Sequence, residues 1–335
     1  MRLRPGVPVL HLGDGVVQVG LLVPLVLRGV CQAEARFLAT LEGRSVPVSE
    51  GERREFPEAV SALERHPHLL WRDDLSRRWL SSAVVRWRGC GLPALEAARI
   101  LALAGIGTMS AVDPRPVSPA DPYPAAFRGL PRAEAFARAI ADTGAEVRWI
   151  SRESPADIEV LSSHGAADLV AARELLARDA MHLPIVSDED GLTVGPVVVP
   201  GVTACVGCLA HARADRDAAW PRIALQLGGA ARNCAAHLPP ECSSLAGALA
   251  AREVLATLRA DGRTHEARAV GQWRVTALAE ASWSPAPPHR ACGCGAAREV
   301  GDAAAAAEAR MPRDARRGAY ARVGSAATIS RISIP

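Results

Sequence analysis

Apolar residues in the first 80 positions come in short runs and helical stripes. Pro8–Leu12 and Val16–Leu21 flank Gly13-Asp14-Gly15, and two apolar runs around such a turn predict a β-hairpin. Ala33–Leu41 sets Phe37, Leu38 and Leu41 on one face and meets Gly43 just past its end. Pro57–Arg65 does the same with Val60 and Leu63, so both stretches predict helices. This β-β-α-α order fits a small winged-helix-like α+β module over residues 1–80. It fits an N-terminal extension packed on the main domain equally well.

From residue 83 the pattern changes to strand–helix alternation. Strands are expected at Ala83–Trp87, Met109–Val112, Val147–Ile150, Ile158–Leu161 and His182–Val186. Helices are expected at Pro93–Ala104, Arg132–Asp142 and Ala167–Arg178, with a later one at Leu245–Leu258. Repeated β-α-β units with short connections predict an α/β fold, a Rossmann-like doubly wound and mostly parallel sheet. Residues 301–335 hold the alanine run Ala303–Ala307 and an arginine-rich stretch, and are expected to form a flexible tail.

Composition narrows the chemistry. With 49% hydrophobic and 22% charged residues over 335 positions, the chain is globular in type. All 39 basic residues are arginine, which excludes a Schiff-base lysine and a phosphate-loop lysine. The tail carries six arginines against three acids; removing them from 39 and 36 leaves 33 of each sign in the remaining 300 residues. So balanced a body lacks the basic footprint of a nucleic-acid binder, and no nucleic-acid partner is expected. The run Val16–Val30 is broken by Gln18, Pro24 and Arg28, so no membrane span is expected. No cleavable apolar core follows Arg2 and Arg4, and the expected location is cytoplasmic. Cysteines there are free thiols, ligands or catalysts.

Two motifs carry candidate chemistry. Gly89-Cys90-Gly91-Leu92-Pro93-Ala94 fits G-x-G-x-x-A between a strand and a helix. Gly89 permits the tight turn, Gly91 lets a phosphate approach the backbone, and the helix start favours an anion. Asp113 ends the next strand, where a carboxylate can hold ribose hydroxyls. A tight turn with Asp113 as a cap is the simpler alternative. The second motif is Cys205-Val206-Gly207-Cys208 with Cys292-Gly293-Cys294. Four thiolates on two glycine-containing knuckles can enclose a tetrahedral structural Zn²⁺. Ordinary reduced cysteines or a redox pair are the alternatives, and His211 and His289 are near enough in sequence to substitute as ligands. Of Cys31, Cys90, Cys234 and Cys242, the first two read as small packing residues.

These motifs, with Leu103-Ala104-Gly105-Ile106-Gly107, Gly129-Leu130-Pro131-Arg132-Ala133, Gly195–Gly201 and the Thr203–Leu209 knuckle, resemble the ThiF/MoeB superfamily over residues 81–300. That fold is shared with ubiquitin-activating enzymes. The stretch His211–Pro221 resembles an actinobacterial branch, some of whose members bind leader peptides through an N-terminal winged-helix-like module. The resemblance implies ATP with Mg²⁺, adenylation of the C-terminal carboxylate of a peptide or small protein, and a homodimer. Gly89, Gly91 and Asp113 match the family's phosphate loop and ribose carboxylate.

Elsewhere the chain departs from the family. A second acidic residue is replaced by Arg115, an Asn-Leu-x-Arg-Gln run by Ser118–Pro122, a lysine by Arg132, and a metal-binding aspartate by one of Ser162, Ser163 and His164. Arg115, Arg128 and Arg132 are candidates to compensate on phosphate. Cys242, after Pro239-Pro240 and ahead of a helix, is a candidate activated thiol, with a buried cysteine at a helix cap as the alternative. Two functions follow: an adenylyltransferase, or a catalytically degenerate member that serves as a leader-peptide or partner-binding scaffold in ribosomal peptide modification.

Overall fold

Positive φ at Gly13, Asp14 and Gly15 (88°, 49° and 69°) reverses the chain where the hairpin was expected. The computed structural model describes residues 1–71, 80–228, 238–259 and 270–297. Cys234 and residues 301–335 lie outside these. The chain divides into two units, Met1–Leu80 and Ser81–Pro335.

In the first unit, β1 (Arg2–Leu3) pairs antiparallel with β5 (Leu70–Trp71). The hairpin strands β2 (Val9–Gly13) and β3 (Val16–Val19) are joined by β4 (Leu25–Leu27) in a three-stranded antiparallel sheet. The expected helices are α1 (Gln32–Thr40) and α3 (Pro57–Glu64), with an extra α2 (Glu50–Glu55) between them. A capping box of Ser49 and Glu52 starts α2 and explains it locally. Val17, Val19, Leu38, Leu41 and Leu63 make the core, and Phe37 stacks on Phe56 with ring centroids 4.5 Å apart. Cys31 is a correction. It is exposed and accepts the Glu34 N–H at the start of α1, so it acts as a cap and not as packing.

The second unit is built on an eight-stranded sheet of order β13-β12-β11-β10-β9-β6-β7-β8. Five strands are parallel: β6 (Val84–Arg88), β7 (Thr108–Val112), β8 (Arg148–Trp149), β9 (Ile158–His164) and β10 (His182–Ser187). Each overlaps an expected strand. The chain runs outward from β6 through β7 to β8, then returns to β9 on the other side, which puts a topological switch point between β6 and β9. The antiparallel strands β11 (Gly191–Val194), β12 (Gly271–Thr276) and β13 (Ala281–Pro285) extend the sheet beyond what the spacing predicts.

Helix α4 (Leu92–Leu103) buries Ala94, Leu95, Ala98 and Leu101. It packs closely with α9 (Pro240–Arg259), where a Cβ on Gly247 would stand 2.7 Å from the Pro93 carbonyl oxygen. Helix α5 (Arg132–Ala141) brings Phe136 between Trp87 and Trp149, 5.6 and 6.1 Å between centroids. Alternation along β6 turns Arg86 and Arg88 to the face opposite Val85 and Trp87. Glu159 of β9 accepts from both, at 2.8 Å from Arg86 Nη1 and 2.7 Å from Arg88 Nε. Nothing in the sequence reading anticipated this buried charged row. Helices α6 (Leu169–Ala177), α7 (Val206–Ala214) and α8 (Trp220–Gly228) complete the described elements. Among the described residues no helix is long and apolar enough to cross a membrane.

Candidate nucleotide site and metal centre

A cavity of about 880 Å³ opens at the C-terminal ends of β6, β7, β9 and β10, the crevice that the switch point creates. Gly89 and Gly91, Asp113, Ser162, Ser163 and Ser187 are among its lining residues. Gly89 has φ 94°, and a Cβ there would stand 3.0 Å from Ser162 Cβ and from its carbonyl oxygen. Only glycine suits both the backbone and the space. Gly91 is the N-cap of α4 and supplies no side-chain cap, so the helix start is left to other acceptors. The Oγ atoms of Ser162 and Ser163 are shielded from solvent and have no hydrogen-bond partner. His164 Nδ1 lies 3.0 Å from Ser187 Oγ, whose hydroxyl donates to the Ser163 carbonyl at 3.3 Å.

Asp113 is 3% exposed at the end of β7. Its Oδ2 accepts the Cys90 N–H at 3.0 Å, tying the ribose-side carboxylate to the glycine loop. Both oxygens also meet the Arg115 guanidinium at 2.8 Å. Burial pushes the carboxyl upward, but the Arg115 and Cys90 donors outweigh it and hold the acid below its ordinary range. The structure thus brings Gly89, Gly91 and Asp113 together as expected, and sets Arg115 on Asp113 itself.

Arg132 is also engaged. Its Nη2 and Nε reach Asp121 Oδ1 and Oδ2 at 2.8 and 3.0 Å, with both side chains almost wholly buried. Asp121 Oδ2 also accepts from Ser118 N and Oγ at 2.7 and 2.9 Å. This pair fastens the Ser118–Pro122 loop. Arg88, which sequence reading passed over, lines the cavity and is held by Glu159 and, at 3.6 Å, by Glu174. Arg128 is exposed at the end of a short 3₁₀ turn.

The residues present do not fit a Mg²⁺ ion. Among the described residues lining the cavity the carboxylates are Asp113, Asp121 and Asp168. The first two are closed by arginine forks. Asp168 caps α6, its Oδ1 accepting from Val170 N and Ala171 N at 3.1 and 2.9 Å. A helix N-terminus repels a cation.

Cys242 stands in the first turn of α9, which begins at Pro240, earlier than the sequence pattern suggests. It is fully buried and donates weakly to the Val275 carbonyl at 3.9 Å. Burial raises its pKa and outweighs the pull of Arg274, so the thiol is held protonated.

The four other predicted cysteines converge. Their sulfurs lie within 4.8 Å of one another. Sγ–Sγ separations are 3.8 Å for Cys205–Cys208 and 3.5 Å for both Cys205–Cys292 and Cys208–Cys294. A tetrahedral thiolate site with metal–sulfur bonds of about 2.3 Å has edges of about 3.8 Å, whereas a disulfide needs about 2.05 Å. The set therefore suits a closed metal centre with no position left for water. Gly207 keeps it open: a Cβ there would stand 3.3 Å from Cys292 Sγ and 3.4 Å from Cys205 Sγ. His211 and His289 stack on each other at 5.2 Å, and His289 Nε2 pairs with Asp215 at 2.8 Å, so these rings have other partners.

No family model matches the chain, and no curated protein matches it. Solved structures do. Escherichia coli MccB with MccA superposes at a TM-score of 0.59 and 16% identity, covering 88% of this chain and 99% of that one. E. coli MccB with ATP gives 0.57 and 15%, covering 88% and 99%. PaaA gives 0.57 and 14%, covering 84% and 98%. At such identities the likeness shows the fold, and the Rossmann-like, mostly parallel α/β sheet that the strand–helix alternation predicts is the one observed.

Proposed function

We propose that this protein is a ThiF/MoeB-type adenylyltransferase-like protein. It binds a nucleotide in the cavity between β6 and β9 and receives the C-terminal carboxylate of a peptide or small protein. One observation carries the reading: Gly89, Gly91 with the α4 N-terminus, and Asp113 converge on one cavity at the switch point of the sheet. The likeness to MccB, solved with ATP and with N-formylated MccA, supports it. In this reading the α4 N–H groups face the phosphates and Asp113 faces the ribose. The peptide carboxylate attacks the α-phosphorus, an acyl–phosphate bond forms, and pyrophosphate leaves. Residues 1–80 serve as the peptide-binding module. The four cysteines hold a structural Zn²⁺ that ties the chain after β13 to α7 and takes no part in chemistry.

ATP–pyrophosphate exchange by the full chain, with candidate peptides bearing a free C-terminal carboxylate, tests this. Exchange that requires the peptide is the expected result; its absence with every peptide that binds removes the enzyme reading.

A second reading, the catalytically degenerate scaffold, is favoured by a specific observation. Arg115 and Arg132 are each closed on an aspartate. Electrostatic groups of this kind are each worth about 10²–10³ in rate when aimed at the transition state. Peptide binding without exchange distinguishes it.

A further inference from the structure

We infer that Arg88 is the cation that receives a phosphate group of the bound nucleotide in this cavity, with Glu159 as the carboxylate that aims it. This rests on the nucleotide reading of the same site and assigns a phosphate contact there to one side chain.

The charges around the cavity are not all cancelled. Arg115 and Arg132 each meet an aspartate of their own, one cation to one anion. Arg88 belongs to a longer row, Arg86–Glu159–Arg88–Glu174–Arg178, in which arginine and glutamate alternate at 2.8, 2.7, 3.6 and 3.7 Å. Both ends of the row are arginines, so three guanidinium groups share two carboxylates. Guanidinium stays protonated in proteins, and the row keeps one positive charge. At its buried end Arg86 and Glu159 are 4% and 3% exposed, and Arg86 also donates to the Ser154 carbonyl, a neutral partner. Water therefore screens little of the surplus there. Arg88 is the member of the row that lines the cavity.

Its position and orientation fit the role. Arg88 is the last residue of β6, and Gly89 turns the chain immediately after it. Trp87 faces α5, and alternation sends Arg88 to the opposite face, where α6 supplies Glu174. Helix α4 packs beside α5, so its N-terminus and the Arg88 guanidinium approach the crevice from opposite faces of the sheet. Glu159 Oε2 holds Arg88 Nε, while the two Nη groups donate no hydrogen bond among the described residues. A guanidinium fixed at Nε presents its outer N–H groups as a fork, the geometry that suits phosphate oxygens. Ordering that fork in advance lowers the entropy lost on binding.

Isothermal titration of the full chain with ATP and with adenosine tests this, for the unaltered protein, R88Q and E174Q. R88Q leaves Glu159 paired with Arg86, and thermal melting checks that the variant is folded. The expected result is that R88Q weakens ATP about tenfold and adenosine by less than about twofold, since only phosphate meets the fork. E174Q removes an exposed carboxylate from Arg88 and is expected to tighten ATP about twofold, with adenosine unchanged. ATP affinity unchanged in R88Q, or ATP and adenosine weakened equally, overturns the inference and leaves the nucleotide reading standing. Should R88Q fail to fold, E174Q decides: ATP held no tighter than by the unaltered chain overturns the inference. No binding of ATP or adenosine by the unaltered chain overturns the nucleotide reading together with it.

Discussion

Arg115 closes the carboxylate of Asp113 with a two-pronged contact, Nε to Oδ1 and Nη2 to Oδ2, each 2.8 Å, with only Pro114 between the two residues. The residue suited to read a ribose is therefore already paired within its own turn, and a ligand must share it or displace the guanidinium.

The Asp113–Arg115 fork makes stability depend on pH in a definite direction. Asp113 has its folded pKa depressed. Its contribution is therefore complete above the unfolded carboxyl value of about 3.9 and is lost as pH falls through the folded value. The substitution R115Q is expected to cost about 1–2 kcal/mol at neutral pH, less than a fully buried pair because the guanidinium is partly exposed. It also flattens the acid limb. Urea unfolding of both proteins across the acid range reads the two slopes; equal slopes would contradict the assignment.

Removing Arg132 leaves Asp121 charged and buried. R132A is expected to destabilise by about 3–5 kcal/mol, and the double variant D121A/R132A by less than the sum of its parts. A double-mutant cycle in urea measures the difference. Strict additivity would mean that the two side chains do not act as a pair.

The four-cysteine centre predicts one zinc per chain in protein purified without chelator. C205S should lose most of that metal and lower the melting temperature, and a strong chelator should do the same to the unaltered chain. G207A, which presses a methyl group on two of the sulfurs, should lower metal content less severely. Elemental analysis paired with thermal melting reports both; full stability at zero zinc would remove the structural role.

Gly247 sets the approach of α9 to α4. G247A puts a methyl group 2.7 Å from the Pro93 carbonyl oxygen and 3.1 Å from Ala97 N. Despite alanine's better helix propensity, the expected outcome is a loss of about 1–3 kcal/mol, read as a lower urea midpoint. A gain would show that the helices part without cost.

Much of the site was legible because its signals are local. The turn Gly89–Gly91 lies between strand and helix as the spacing requires, and Asp113 ends the next strand. The two cysteine knuckles announce themselves by number and spacing. For Cys242 the sequence left two readings, an activated thiol or a buried cysteine at a helix cap, and the helix that begins at Pro240 carries the thiol inward, where burial governs its ionisation. The charged row Arg86, Arg88 and Glu159 was hidden, because its partners are adjacent only across the register of β6 and β9.

The amino-acid pattern alone determined the alternation of strand and helix, the glycine turn and the two thiol pairs, because backbone periodicity and turn chemistry act over a few residues. Tertiary structure alone decided that Arg115 and Arg132 are paired with carboxylates. It also decided that the Ser162 and Ser163 hydroxyls are shut away from solvent without partners. Charge pairing and desolvation depend on which side chains the folded sheet brings within about 3 Å, and separation along the chain does not encode that distance.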